Sequence, residues 1–226
     1  MRIHFLWMQG IENAPHQTQK RLSQNAELYK SWGHEVGVWS DVEIQALVKK
    51  AYPNYRLWYN SILNGIQRCD VARAFLLHAY GGLYTDIDFD PIMDPPILDT
   101  TSVVVGSDAL MGANNAWIYS PPQHAFWFDH YIPHVRQQLL GPKLWDTFVA
   151  LVIPNYTIVS TTGPLAYWQL RRHLVLDSRV YSIFGKHGEG SSPTWFNKYT
   201  NTQQSLLVIL ILTLAIVGVI YLGLRC

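Results

Sequence analysis

From Leu206 to Leu224 the chain is a run of apolar residues broken only by Thr213, Gly218 and Gly223, and no charged residue occurs between Lys198 and Arg225. As a helix this run extends roughly 28 Å at about 1.5 Å per residue, close to the thickness of a bilayer's hydrocarbon core. A core helix of a soluble domain is normally shorter and keeps a polar stripe. One transmembrane helix over 206–224 is therefore expected, joined by a linker over 198–205 to a domain over 1–197, which makes the protein tail-anchored. At the other end, Met1 to Met8 leads straight into polar sequence, without the apolar length of a signal peptide.

The part before the linker is long enough for one domain with a real core and too short for two comfortable ones. Its partners are constrained by charge. Of 226 residues, 17 are Lys or Arg and 16 are Asp or Glu, a formal charge of +1, so no electrostatic excess exists to hold a nucleic-acid backbone and no nucleic-acid partner is expected. Hydrophobic residues make up 49% and charged residues 15%, against about 25% charged in soluble domains. Most of that apolar excess is the tail. Cys69 and Cys226 form neither a disulfide framework nor a metal cluster by spacing.

Ile3 to Trp7 reads as a strand, residues 19–32 as a helix with Leu22, Ala26 and Tyr29 on one face, and Glu35 to Trp39 as a second strand. Ser40 followed by Glu43 is the signature of a capping box, opening a helix that ends before Pro53. A longer helix is expected over 59–80, stopped by Gly81-Gly82, with a strand over 83–89 after it. This alternation is the pattern of a parallel α/β sheet. Further on, 103–105 and 116–119 read as strands, 123–139 and 163–174 as helices, and 180–184 as a last strand.

The chemistry concentrates between residues 68 and 88. Asp70 and Arg73, three apart on a helix, project from one face; alone such a pair reads as a surface salt bridge. Asp86 and Asp88, two apart on a strand, send both carboxylates to one face, with Tyr84 pointing the same way. Two carboxylates so placed repel unless a cation lies between them. Mg²⁺ or Mn²⁺ would take their oxygens and keep positions free for phosphate. The carboxyl ends of strands are also where an open α/β sheet binds ligands.

Asp70-x-x-Arg73 followed by Gly81-Gly82-Leu83-Tyr84-x-Asp86-x-Asp88 resembles the DXD sugar-binding region of glycosyltransferase family 32. That family includes fungal α-mannosyltransferases and the mannosyltransferases of inositol phosphorylceramide, and is related to the glucosylating clostridial toxins. The opening Ile3-His4-x-x-Trp7, the turn Ser160-Thr161-Thr162-Gly163-Pro164 and the loop from His187 to Trp195 are similar to further family segments. In that loop Pro193-Thr194 separates Ser192 from Trp195, where the family has Ser and Trp adjacent.

The resemblance implies a GT-A fold, an α/β Rossmann-like nucleotide-binding sheet, with a nucleotide-sugar donor, a Mn²⁺ or Mg²⁺ ion and retention at the anomeric carbon. Carried over by position, Trp7 would stack on the nucleobase, where the plain alternative is a core aromatic. Asp70 and Arg73 would hold the donor sugar, Tyr84 would line its site, and Asp86 would contact ribose or metal. Asp88 would ligate the metal directly. His187 would be a further metal ligand, and Ser191, Ser192 and Trp195 would reach the diphosphate. The catalytic set implied is Asp70, Arg73, Asp86 and Asp88. Asn114 and Asn115 are candidates for sugar or acceptor hydroxyls, while His124 reads as structural.

The expected activity is transfer of a hexose, foremost mannose from GDP-mannose, to a lipid such as inositol phosphorylceramide or to a glycan. UDP-glucose or UDP-galactose as donor, and a non-catalytic sugar- or metal-binding membrane protein, stand as alternatives. The expected location is the endomembrane system, Golgi or endoplasmic reticulum. Its sidedness stays open: Lys198 and Arg225 flank the tail evenly, and the sequon Asn155-Tyr156-Thr157 has meaning only in the lumen.

Overall fold

The computed structural model describes residues 1–95, 101–108, 112–141, 156–180 and 184–187. The chain divides into two compact units, Met1–Gly141 with Ile158–Gly188, and Pro142–Thr157 with Glu189–Cys226. Almost all described residues belong to the first. The expected tail helix and its linker lie outside them, and among the described residues no helix is long and apolar enough to cross a membrane.

The chain opens with β1 (Arg2–Leu6), α1 (His16–Ser31) and β2 (Glu35–Trp39), with β1 and β2 paired in parallel. Alternation along β1 sends Ile3 and Phe5 to one face and Leu6 to the other. Helix α2 (Asp41–Ala51) begins at the capping box, with the Ser40 backbone N–H donating to Glu43 Oε2 at 2.7 Å.

The helix expected over 59–80 is two helices, α3 (Arg56–Ser61) and α4 (Gly65–Tyr80). Asn64 starts the second, its Oδ1 accepting from the backbone N–H groups of Ile66 at 3.0 Å and Gln67 at 3.2 Å. An amide side chain that satisfies the open donors of a helix start favours a new start over continuation.

Strand β3 (Gly82–Thr85) is shorter than the expected 83–89. The Phe89 N–H returns to the Asp86 carbonyl at 3.1 Å, closing a turn over Asp86–Phe89 before the short β4 (Phe89–Pro91). Asp86 and Asp88 thus sit on a turn instead of a strand face. Aspartate is at home there because its short side chain competes for local backbone groups.

Strands β5 (Val104–Asp108), β6 (Gly112–Ser120) and β7 (Val175–Asp177) complete a six-stranded sheet of order β2-β1-β3-β6-β5-β7. The pairings of β3 and β5 with β6 are antiparallel while β5 and β7 pair in parallel, so the sheet is mixed and the expectation of an all-parallel one fails at β6. The reason is connection length: residues 109–111 are too few for the crossover that parallel neighbours need. A second, two-stranded sheet pairs β4 with β8 (Gly185–His187), setting His187 opposite Phe89.

The segment expected as a helix over 123–139 is a wide, π-type turn over Phe126–Tyr131 followed by α5 (Ile132–Leu140). Pro133 has no N–H to give to the turn before it. In place of one helix over 163–174 there are α6 (Tyr156–Thr161), α7 (Pro164–Gln169) and a tight 3₁₀ turn at Arg171–His173. Residues 181–183 of the last expected strand lie outside the described residues. One core, from α2, α4, α5 and α7, includes Phe75, Leu76, Tyr84, Trp127 and Tyr167. The other, under α1, includes Ile3, Phe5, Leu22, Tyr29 and Leu83.

Candidate active site

Helix α4 delivers Asp70 and Arg73 to the central strands β3 and β6, both almost fully buried. Their pairing is no surface salt bridge. Arg73 Nη2 lies 3.4 Å from Asp70 Oδ1 and 3.2 Å from Asp86 Oδ1, so one guanidinium joins α4 to the turn after β3. Arg73 Nη1 donates to the Asn115 carbonyl at 2.7 Å, and the guanidinium carbon lies 4.5 Å from the centre of the Tyr84 ring. The Tyr84 hydroxyl donates to Asp86 Oδ1 at 2.6 Å. Asp70, Arg73, Tyr84 and Asp86 therefore form one connected group.

Asp70 is held from two other directions. Asn115 Nδ2 on β6 donates to its Oδ1 at 3.0 Å, and the Thr162 hydroxyl donates to its Oδ2 at 2.8 Å. Burial pushes the Asp70 carboxyl up to about 6, and Arg73, Thr162 and Asn115 pull against that rise. Burial likewise raises the thiol of the neighbouring Cys69 to about 11, which keeps it protonated and poorly nucleophilic.

The turn carrying Asp86 and Asp88 is pinned from α1. Asn25 is buried, and its Nδ2 lies 3.2 Å from the Ile87 carbonyl, 3.2 Å from the Phe89 carbonyl and 3.4 Å from Asp90 Oδ1. Sequence reasoning missed Asn25. Its signal was a lone amide on the face shared by Leu22, Ala26 and Tyr29, where a buried polar group must find partners.

Both contacts of Asp86 fall on Oδ1, and its side chain is 29% exposed. Asp88 is half-buried in the same turn. Among the described residues no third His, Cys, Asp or Glu joins them. Hard carboxylate oxygens without a crowd of protein ligands suit a Mg²⁺- or Mn²⁺-type ion that fills its remaining positions with water or phosphate. The β4–β8 pairing brings the His187 backbone beside this turn; its side chain lies outside the described residues, as do Ser191, Ser192, Trp195 and Asn155.

Trp7 follows the end of β1, its N–H donating to the Trp39 carbonyl at 2.9 Å. The ring is half-buried against the α1-side core, and its indole N–H is buried without a partner among the described residues. Asn115, a candidate for sugar or acceptor hydroxyls, turns its Nδ2 to Asp70. His124 acts structurally, its Nδ1 accepting from the Phe126 N–H at 3.1 Å.

Residues 7–104 match the glycosyltransferase sugar-binding region containing the DXD motif. The matched span includes Asp70, Arg73 and the Asp86–Asp88 turn. The chain carries a DXD-type glycosyltransferase sugar-binding region. It is 29% identical over 127 residues to inositol phosphoceramide mannosyltransferase 1 of Schizosaccharomyces pombe, covering 55% of this chain and 39% of that protein. It is 30% identical over 135 residues to mannosyl phosphorylinositol ceramide synthase CSH1 of Saccharomyces cerevisiae, covering 57% of this chain and 31% of the yeast protein. The chain thus spans less than half the length of these relatives. Its fold is similar to that of the PaToxG glycosyltransferase, with a TM-score of 0.54 at 15% identity over 91% of this chain and 74% of the other. A central mixed sheet with helices on both sides, and the DXD turn at the end of β3, fit the GT-A arrangement.

Proposed function

We propose that this DXD glycosyltransferase region acts as a metal-dependent, retaining hexosyltransferase that uses a nucleotide-sugar donor, foremost GDP-mannose, and a membrane lipid of the inositol phosphorylceramide type as acceptor. The observation that carries the reading is the single guanidinium of Arg73 shared between buried Asp70 and the DXD-turn residue Asp86. It joins the carboxylate of α4 to that of the DXD turn. The names of the yeast relatives favour the lipid acceptor and mannose.

In this reading Asp70 and Arg73 hold donor hydroxyls, Tyr84 fixes the rotamer of Asp86, and Asp86 and Asp88 hold a divalent cation. A cation held there by Asp86 and Asp88 would supply neutralisation of the charge on the departing diphosphate. The bond from anomeric carbon to phosphate oxygen breaks with its electron pair leaving on the diphosphate. The acceptor oxygen bonds the same carbon on the same face, and its proton passes to the departing phosphate. Arg73 cannot lose its proton at working pH and serves as a fixed positive charge, not an acid. Trp7, with its unpaired indole N–H, supplies a surface and a donor for the nucleobase. Ser192, Trp195 and His187 complete the diphosphate side, and the apolar run 206–224 anchors the protein to an endomembrane.

The test is a donor panel. The full chain with Mn²⁺ should release nucleotide from GDP-mannose faster than from UDP-glucose or UDP-galactose, and Asp88→Ala should abolish release. No release from any of the three with Mn²⁺ or Mg²⁺ would sink the enzyme reading in favour of a binding protein. Isolation of a sugar covalently bound to an Asp or Glu would replace same-face attack. Carbonate extraction of the full chain tests the anchor, and loss of mass on endoglycosidase treatment, reporting a glycan at Asn155, would place the domain in the lumen.

A further inference from the structure

Helices α3 and α4 meet at a corner whose aliphatic side chains point away from any core. Leu57 is 84% exposed, Leu63 96% and Ile66 39%, although Ile62 between them is buried. Three large apolar side chains within ten residues of chain are a cost in water that a soluble face normally avoids.

Asp41 is held at this corner by the Tyr59 hydroxyl and Arg68, and the remaining charges of α3 and its flanks are positive. From Ile44 to Cys69 the chain carries Lys49, Lys50, Arg56 and Arg68 and no Asp or Glu. Arg68 is engaged, its Nη2 lying 2.9 Å from Asp41 Oδ2. Lys49, Lys50 and Arg56 are exposed. Arg136 on α5 adds a fourth exposed cation, its guanidinium carbon 5.8 Å from the Tyr55 ring centre and 5.7 Å from that of Trp58. Aliphatic tips, half-buried Tyr and Trp behind them, and a surround of cations match the chemistry of the headgroup layer of an anionic bilayer.

The corner also has a fixed relation to the site. Ile66 precedes Asp70 by four residues on α4, one helical turn along the same face. Exposed apolar surface and the buried carboxylate thus lie on one rigid element.

We propose that the α3–α4 corner is a bilayer-docking surface, with Leu57, Leu63 and Ile66 entering the interface and Arg56, Arg136, Lys49 and Lys50 on anionic headgroups. Docking there would hold the sugar-binding end of α4 next to a lipid acceptor; in this respect the inference rests on the reading above. The surface itself is independent of turnover.

The experiment places the photo-cross-linker p-benzoylphenylalanine at Leu63, or at the exposed Glu27 of α1 as control, in the full chain reconstituted into phosphatidylcholine vesicles with or without phosphatidylinositol. Position 63 should label lipid strongly and position 27 weakly, and phosphatidylinositol should raise the adduct at 63. Each cation near an anionic leaflet contributes roughly fivefold to partition, so Arg56→Glu with Arg136→Glu should cut that adduct by about fivefold or more. Raising salt on the otherwise unchanged chain should cut it too, without any question of misfolding. Equal labelling at 63 and 27, or cross-links from 63 to the 206–224 segment or to a second copy, would overturn the proposal. If labelling at 63 fails while nucleotide release persists, the docking surface falls alone; if labelling succeeds without release from any donor, the enzyme reading falls alone.

Discussion

Thr162 donates its hydroxyl to Asp70 Oδ2 at 2.8 Å across 92 residues of chain. A hydrogen bond to a buried carboxylate is worth about 1.5–3 kcal/mol, and its absence leaves the carboxylate oxygen without a partner. Thr162→Ala should lower stability by that amount in urea denaturation and raise KM for the donor more than it lowers kcat, because Asp70 loses its orientation. Thr162→Ser should restore both. A Thr162→Ala protein with unchanged donor KM would show that Asp70 needs no such support.

Asp70 should give stability and donor binding opposite pH dependences. Its carboxyl is raised by burial from the ordinary 3.8 to about 6. The folded state therefore holds this proton more tightly than the unfolded one. The stabilisation is complete below the unfolded value and is lost as pH rises through about 6. Acceptance of sugar hydroxyls needs the ionised form, so donor affinity should rise with pH through the same range. Asp70→Asn should flatten the donor-affinity curve and remove this contribution from the stability curve, leaving the opposite slope that neutral His4 contributes below pH 6.5. Thermal midpoints and donor KM measured side by side from about pH 5 to pH 8 make the check.

Asn25 should matter to the turn proposed to hold the cation, because it pins the Ile87 and Phe89 carbonyls on either side of Asp88. Asn25→Ala strips two buried carbonyls of their donor, at a cost of about 1–3 kcal/mol. Asn25→Asp should be worse, since it sets a carboxylate against the Ile87 and Phe89 carbonyls and Asp90. The expected readout is a higher Mn²⁺ concentration for half-maximal nucleotide release, with saturating kcat changed less. A loss of stability with no shift in the Mn²⁺ requirement would reduce Asn25 to a packing residue.

His4 should make the fold acid-sensitive. Its Nδ1 accepts from the Trp39 indole N–H at 3.1 Å, so Nε2 carries the proton donated to the Gly81 carbonyl at 2.8 Å. Burial, with Arg2 nearby adding to it, lowers the imidazole to about 4 against the Gly81 bond. The stability from neutral His4 is full above the unfolded value of 6.5 and is lost as pH falls toward 4, roughly 3 kcal/mol in all. His4→Gln should remove that slope while lowering stability at neutral pH.

Gly82→Ala should fail to fold well. Gly82 has φ 93°, where side chains are strained, and a Cβ there would overlap the Arg2 carbonyl across the β1–β3 pairing. Low soluble yield and a depressed thermal midpoint are expected, with Gly81→Ala also strained because its Cβ would lie 2.6 Å from the Pro122 nitrogen.

What local chemistry controls was readable from the residues. The Ser40–Glu43 capping box, the stop at Gly81-Gly82 and the Asp70-x-x-Arg73 spacing each depend on a few neighbours along the chain, and each takes the form its spacing implies. Tyr84 and Asp86 do meet, through a hydrogen bond, although on a turn. The turn was hidden because it depends on the partner strand: the Asp86 N–H donates to the Ala116 carbonyl at 2.8 Å, where the ladder ends. Asn25 was hidden for the same reason, its partners lying 62 to 65 residues away. Thr162 stood in a recognisable Ser-Thr-Thr-Gly-Pro segment, but nothing in that segment names Asp70 as its partner. The reversed direction of β6 followed from one short connection that periodicity does not register.

The matched sugar-binding region ends at residue 104, while two of the groups that hold Asp70 come from residues 115 and 162. The span of the family match is thus smaller than the unit that holds Asp70. Contacts of such long sequence separation close late, after their loop entropy has been spent. The contacts that hold Asp70 are therefore among the last to form, and a fragment that stops at residue 104 would keep Asp70 and Arg73 without the Asn115 and Thr162 groups that orient them.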